Sequence, residues 1–302
     1  MITLSLPTQA AKQSWLVGVA WVAMLLMSRL PQIVLREFFA IEASFVGLWL
    51  GIAAVLLAAT YLWPGMKPLR GYLWIMAAMA LITGPCDMLL RHSPLWATWF
   101  SPERGWPISF LGERLPLVVE ALILMLMLIG MGMKGRDFFL AVGNLRAAAT
   151  GLPLLRFGNA WLVVGPFWAL LLTLLFFFGT AAMTGTRLSE LPRVLPWLPV
   201  IVLFALLNAF GEEFVYRAAP LSQLAHVVGR TQAIWLTAVW FGLGHYYGGI
   251  PSGPVGALMA GGIALLYGKA LVETRGILLP TLMHMVTDVA IYLFLALGAM
   301  GM

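Results

Sequence analysis

The feature that most constrains the fold is a series of apolar runs, each about 20 residues long, that recurs along the chain. A helix of about 20 apolar residues is long enough to cross the hydrocarbon core of a bilayer. Of the 302 residues, 62% are hydrophobic and only 10% are charged, so the chain could not cover itself with polar surface in water. An all-α membrane fold follows, because a helix satisfies its own backbone hydrogen bonds in lipid.

These runs predict a polytopic transmembrane helical bundle with eight to nine spans. Nine is the literal count, and eight holds if the first run, or the Gly- and Pro-rich run around 249–262, is short or re-entrant. The candidate spans cover residues 14–30, 38–63, 69–90, 115–133, 160–181, 196–219, 232–249, 254–272 and 277–298.

Two long polar connections, residues 91–114 and 134–159, suggest how the chain is organised. The second has spaced arginines among apolar residues, a pattern typical of an amphipathic interfacial helix. We place a boundary near residue 155. Residues 1–155 are then an accessory transmembrane bundle with an interfacial segment, and residues 156–302 form a transmembrane core that holds the ionisable residues discussed next.

The first chemical motif in that core is Glu212-Glu213-Phe-Val-Tyr-Arg217. Ionisable residues inside membrane spans are costly, so they usually mark a function. Glu213 and Arg217 are four residues apart on one helical face, where we expect them to pair. The neighbouring Glu212 lies about 100° further round the helix, which leaves one carboxylate free to act as a base.

Two further motifs follow on separate apolar runs. Phe241 and His245 share a helical face, and Gly242, Gly244 and Gly248 are predicted to let a neighbouring helix approach closely. In the last run, His284 and Asp288 have the same four-residue spacing and therefore stack on one face.

This set of acids and imidazoles permits several chemistries. A buried glutamate can deprotonate a water, and histidines can orient that water or stabilise a tetrahedral intermediate. Two histidines and a carboxylate, namely His245, His284 and Glu212, could instead bind zinc. The alternatives without a catalytic role are a structural ion cluster that links helices and histidines that only pack in the protein core.

The three motifs, in this order on successive helices, resemble the CPBP family. That family comprises the type II CAAX prenyl endopeptidases and the bacteriocin-processing (Abi-like) proteins. The resemblance covers roughly residues 155–298, through Glu-Glu-x-x-x-Arg at 212–217, Phe-x-x-x-His at 241–245 and His-x-x-x-Asp at 284–288.

The resemblance implies an intramembrane glutamic-type endopeptidase. Glu212 would activate water together with His245, and Glu213 would brace the site with the structural residues Arg217 and Phe241. His284 and Asp288 would stand where the family stabilises the oxyanion. Family enzymes often carry Asn at the position of Asp288. An ionised Asp cannot donate to an oxyanion, so Asp288 must be protonated, orient His284 or bind a metal.

The expected partners are the lipid bilayer and a membrane-associated protein or peptide substrate. No basic run is dense enough for nucleic acid. We expect no required cofactor, with zinc as the alternative, and a location in the cytoplasmic membrane of a bacterium. The competing functions are a non-catalytic scaffold or immunity protein of the same fold and a proton-coupled transporter.

Overall fold

The computed structural model describes residues 14–42, 44–151 and 160–301, and these residues form helices and connecting turns without a β-strand. The prediction of an all-α fold is therefore confirmed for this part of the chain. The α-helices are α1 Ser14–Met27, α2 Leu30–Phe39, α3 Val46–Leu62, α4 Arg70–Leu81, α5 Asp87–Arg91, α6 Pro94–Trp99, α7 Trp106–Gly130, α8 Trp161–Thr184, α9 Leu198–Glu213, α10 Ala219–Leu224, α11 Arg230–Gly248, α12 Gly253–Thr274 and α13 Leu278–Gly301.

Five helical segments among the described residues are long and apolar enough to cross a membrane. The pair α1 and α2, bent by 55° at a short break, makes a sixth if it is one span. The count of eight to nine spans is therefore not confirmed, although a helix lies near each predicted run. The five segments are Pro64–Arg91, Trp161–Thr184, Leu195–Leu224, Gly253–Thr274 and Leu278–Met300.

In the C-terminal half, α13 packs against α8, α9 and α12. Helix α12 also packs along α11. A single large apolar cluster joins the two halves of the chain, since Leu73 and Leu124 share it with Phe214 and Leu221. The apolar packing is thus continuous between the two halves. The boundary near residue 155 stays a prediction about how the chain is organised.

The connection before α8 differs from the prediction. An amphipathic helix was expected over 134–159, but within the described part, 134–151, only Gly135–Phe138 is helical, as a short 3-10 turn. The following residues up to 151 form turns and irregular chain, and 152–159 lie outside the described residues. Positive φ angles at Phe139 (64°) and Gly143 (81°) interrupt any helix there.

This connection instead packs its backbone against the turn between α12 and α13. The amide of Asn144 donates to the carbonyl of Thr274 at 2.7 Å, and the amide of Ile277 donates to the carbonyl of Phe139 at 2.9 Å. A Cβ at Gly143 would lie 2.8 Å from the Thr274 carbonyl oxygen. The segment therefore gains its backbone hydrogen bonds from a tertiary contact, and these compete with a local helix.

Helices α11 and α12 come closest at Gly242, as the glycine pattern predicts. A Cβ built on Gly242 would lie 2.6 Å from the carbonyl oxygen of Ala257 and 3.1 Å from the Cα of Gly261. At Gly244 and Gly248 a Cβ would meet no atom of a neighbouring helix within 4 Å among the described residues, so the prediction of close approach is wrong for these two glycines.

We expect Gly242→Ala to destabilise the protein and to lower activity, because the added methyl group pushes α12 away from the helix that carries His245. Over-packing of this kind costs about 1–3 kcal/mol. Gly244→Ala is the matched control on the same helix, and it should leave the midpoint of thermal unfolding unchanged or raise it. Equal effects of the two changes on unfolding in detergent would contradict the close contact.

Candidate active site

The two adjacent glutamates end α9, and a widened π-helical turn, Phe214–Ala218, follows them directly. Such turns often occur at functional sites within helices. Arg217 forms an ion pair and hydrogen bond with Glu213, and both side chains are fully buried. The predicted pairing of Arg217 with Glu213 is therefore confirmed.

Aromatic rings enclose the guanidinium of Arg217. Its Cζ atom lies 4.2 Å from the ring centre of Phe241 and 5.5 Å from that of Tyr267. These cation–π contacts suit a desolvated arginine. The same Phe241 ring lies 4.3 Å from the ring of His245, one helical turn along α11. Phe241 thus contacts both the buried ion pair and a histidine of the site, and its supporting role stays a prediction.

His284 on α13 is the centre of the cluster, because its two ring nitrogens face three carboxylates. Its Nδ1 lies 2.8 Å from Oε1 of Glu213, within hydrogen-bond distance. Its Nε2 lies 3.6 Å from Oε2 of Glu212 and 3.5 Å from Oδ1 of Asp288. Glu213 therefore contacts both Arg217 and His284, which fixes the imidazole from one side.

His245 on α11 also lines the cavity. Its Nδ1 lies 2.9 Å from the backbone carbonyl oxygen of Phe241, so Nδ1–H donates to that oxygen and Nε2 stays available to a ligand. The resemblance implied that His245 works with Glu212. Among the described residues, the histidine hydrogen-bonded within the acid cluster is His284.

One cavity of about 150 Å³ brings the predicted residues together. Glu212, His245, His284 and Asp288 all line it, whereas Glu213 is fully buried and contacts His284. The rest of the wall includes aromatic and small residues, among them Phe176, Tyr267, Tyr292, Gly248, Gly249 and Gly256.

Asn208 and Arg114 are polar residues of this cavity that were not predicted. Asn208 on α9 donates through Nδ2 to Oδ2 of Asp288 at 2.9 Å, and Arg114 on α7 donates through Nη1 to Oδ1 of Asn208 at 3.2 Å. Asn208 stands four residues before Glu212 in an apolar run, which is a signal that the sequence does offer. Arg114 was assigned to the loop 91–114, but α7 begins at Trp106 and so includes it.

The described residues contain no group of three His, Cys, Asp or Glu side chains arranged to hold a metal ion. The expectation that the protein needs no cofactor, with zinc as the alternative, stays a prediction.

The fold and the site together define a class: a helical membrane protein that buries a cluster of acids and histidines beside a cavity. Residues 194–290 match the model of the type II CAAX prenyl endopeptidase Rce1-like family, and this match confirms the predicted family resemblance. The matched stretch includes every predicted site residue from Glu212 to Asp288. No curated protein and no solved structure matches the chain.

Proposed function

We propose that this protein is an intramembrane endopeptidase that hydrolyses a peptide bond in a membrane-associated substrate, with Glu212 as the residue that activates water. One observation carries the proposal. Glu212 and His284 approach within 3.6 Å on a cavity whose wall also includes His245, inside a region that matches a protease family. Family membership suggests the reaction, and the cluster supplies the groups that the reaction requires.

In the proposed reaction, Glu212 accepts a proton from a water in the cavity, and the water oxygen attacks the carbonyl carbon of the substrate. Nε2 of His245 accepts the second hydrogen bond of this water and so orients it. His284 is doubly protonated in this reaction, because its Nδ1–H donates to Glu213, and its Nε2–H donates to the developing oxyanion. The proton on Glu212 then passes to the leaving amine as the carbon–nitrogen bond breaks, which releases an amine and a carboxyl terminus.

The buried neighbours hold these groups in place. Glu213 accepts from Nδ1 of His284 and is itself paired with Arg217, so the Nδ1 side of the His284 ring is held in place. Contacts that support a catalytic side chain in this way keep it close to the geometry that the reaction requires. We assign Glu213, Arg217 and Phe241 to positioning.

We further propose that residues 156–302 are the catalytic core and residues 1–155 an accessory bundle. The family match within 194–290 supports the first part. The apolar helices support an integral membrane location, for which we propose the cytoplasmic membrane of a bacterium. The partners in this proposal are the bilayer and a membrane-associated protein or peptide.

The function is tested by comparing protein termini in membranes that contain either the wild type or Glu212→Gln at equal abundance. Mass spectrometry of newly formed N- and C-termini should show cleavage products that occur only with the wild type. Purified protein in lipid should then cut a peptide that spans the same site. If the two membranes have identical termini, the protein is not a protease under these conditions, and a scaffold or immunity role becomes the better account.

We expect cleavage to persist after treatment with a strong metal chelator. A general-base glutamate needs no metal, and the described residues lack a three-ligand arrangement. The measurement is the cleavage rate of the purified protein before and after chelation, with a known zinc protease as the positive control. Loss of cleavage that returns on addition of zinc would contradict the metal-free reaction and favour Glu212, His245 and His284 as ligands.

A further inference from the structure

A chain of hydrogen bonds connects a helix of the N-terminal half with the candidate active site. Arg114 on α7 donates to Asn208 on α9, and Asn208 donates to Asp288 on α13. Oδ1 of Asp288 then lies 3.5 Å from Nε2 of His284. The chain therefore ends at the same imidazole nitrogen that faces Glu212.

The direction of this chain follows from chemistry. An arginine can only donate hydrogen bonds, so the Asn208 atom that faces Arg114 must be the amide oxygen. The amide nitrogen of Asn208 then faces Asp288, and Oδ2 of Asp288 must act as an acceptor. Without the arginine, only Asp288 would orient the amide, and a protonated Asp288 could donate to the amide oxygen instead. The arginine thus keeps the amide nitrogen facing Asp288 in either protonation state of that carboxyl group.

Aromatic rings keep Arg114 in this position. Its Cζ atom lies 4.7 Å from the ring centre of Phe110 and 5.3 Å from that of Tyr292. Phe110 is one helical turn before Arg114 on α7, and Tyr292 is one turn after Asp288 on α13. The arginine is therefore held between the two helices by contacts that are independent of its hydrogen bond to Asn208.

We propose that Arg114 is a positioning residue of the active site, which acts through Asn208 to hold Asp288 and, through Asp288, the Nε2 side of His284. This inference rests on the proposed hydrolytic function. Arg114 lies outside residues 194–290, the stretch that matches the family. The accessory half of the chain therefore contributes a residue on which the geometry of the catalytic half depends.

The test is a double-mutant cycle made of the wild type, Arg114→Met, Asp288→Asn and the double variant. We expect Arg114→Met to lower kcat about 10- to 100-fold, with a smaller change in KM, because His284 loses its alignment. In the Asp288→Asn background, the same change should lower kcat less than about threefold. A neutral side chain at 288 can both donate and accept, so it does not depend on the orientation of Asn208.

Two further variants separate positioning from packing. Arg114→Lys retains a cationic donor and should recover part of the lost kcat, whereas Arg104→Met changes an exposed arginine near the start of α7 and should leave kcat unchanged. If Arg114→Met lowers kcat by the same factor in both backgrounds, Arg114 acts through packing and the proposal is overturned.

The midpoint of thermal unfolding in detergent can be measured for the same four proteins of the double-mutant cycle. Arg114→Met should lower the midpoint more in the wild type than in Asp288→Asn, and equal shifts would overturn the linkage. This measurement needs no substrate. If the wild type cleaves no peptide but the unfolding midpoints are coupled, then the proposed function fails while the link between Arg114 and Asp288 stands.

Discussion

Glu212→Gln is expected to lower kcat by about 10² to 10⁴, the range that a positioned general base contributes. Glutamine has nearly the same shape as glutamate but cannot accept the proton of the attacking water. The protein should fold normally, because Glu212 is partly exposed to the cavity and its closest approach to His284 is 3.6 Å, beyond a normal hydrogen bond. KM should change little, because the binding wall of the cavity is unaltered.

The measurement is the cleavage rate of a defined peptide by purified protein in lipid, together with the midpoint of thermal unfolding. Glu103→Gln, which alters an exposed acid in the turn Pro102–Arg104, is the matched control and should retain full activity. A Glu212→Gln protein with unchanged kcat would show that another group activates the water.

Arg217→Met is expected to destabilise the protein by about 3–5 kcal/mol, because it removes the arginine that pairs with the buried carboxylate of Glu213. The double variant Glu213→Gln/Arg217→Met should be more stable than Arg217→Met alone, because it removes both buried charges. Both expectations follow from the same feature, a fully buried pair that contacts little water.

The chain offers a matched control, because Arg91 and Asp87 also form an ion pair four residues apart, but at the protein surface. Arg91→Met should change the free energy of unfolding by no more than about 1 kcal/mol. The measurement is chemical unfolding of the purified variants in detergent micelles. Similar losses for Arg217→Met and Arg91→Met, or a double variant less stable than Arg217→Met, would contradict the proposed importance of burial.

Predictions that depend on local geometry agree best with the structure. The i,i+4 spacing identified Arg217 as the partner of Glu213 because residues four apart on a helix are always neighbours. The long apolar runs identified helices in a membrane protein for the same reason, since length and hydropathy are properties of each segment alone. The number of membrane spans does not follow as directly from the apolar runs. Charged residues such as Glu113, Arg114 and Glu120 lower the hydropathy of α7, which is not among the five candidate spans.

The errors concern contacts between segments that are distant in the chain. The segment after Gly135 contains helix-like spacing, but its backbone pairs with the turn at Thr274 and Ile277. Glycines at 242 and 244 look equivalent in the sequence, and only the packing of α12 distinguishes them. No local pattern specifies which face of a helix a neighbour will cover.

The sequence by itself determined that this is a helical membrane protein, and it identified the acids and histidines of the candidate site, because these depend on composition and short spacings. Only the tertiary structure placed His284 at the centre of the acids and brought Arg114 to Asn208 across 94 positions of sequence. An interhelical contact depends on how several helices pack and rotate against one another, and this arrangement is a property of the whole core.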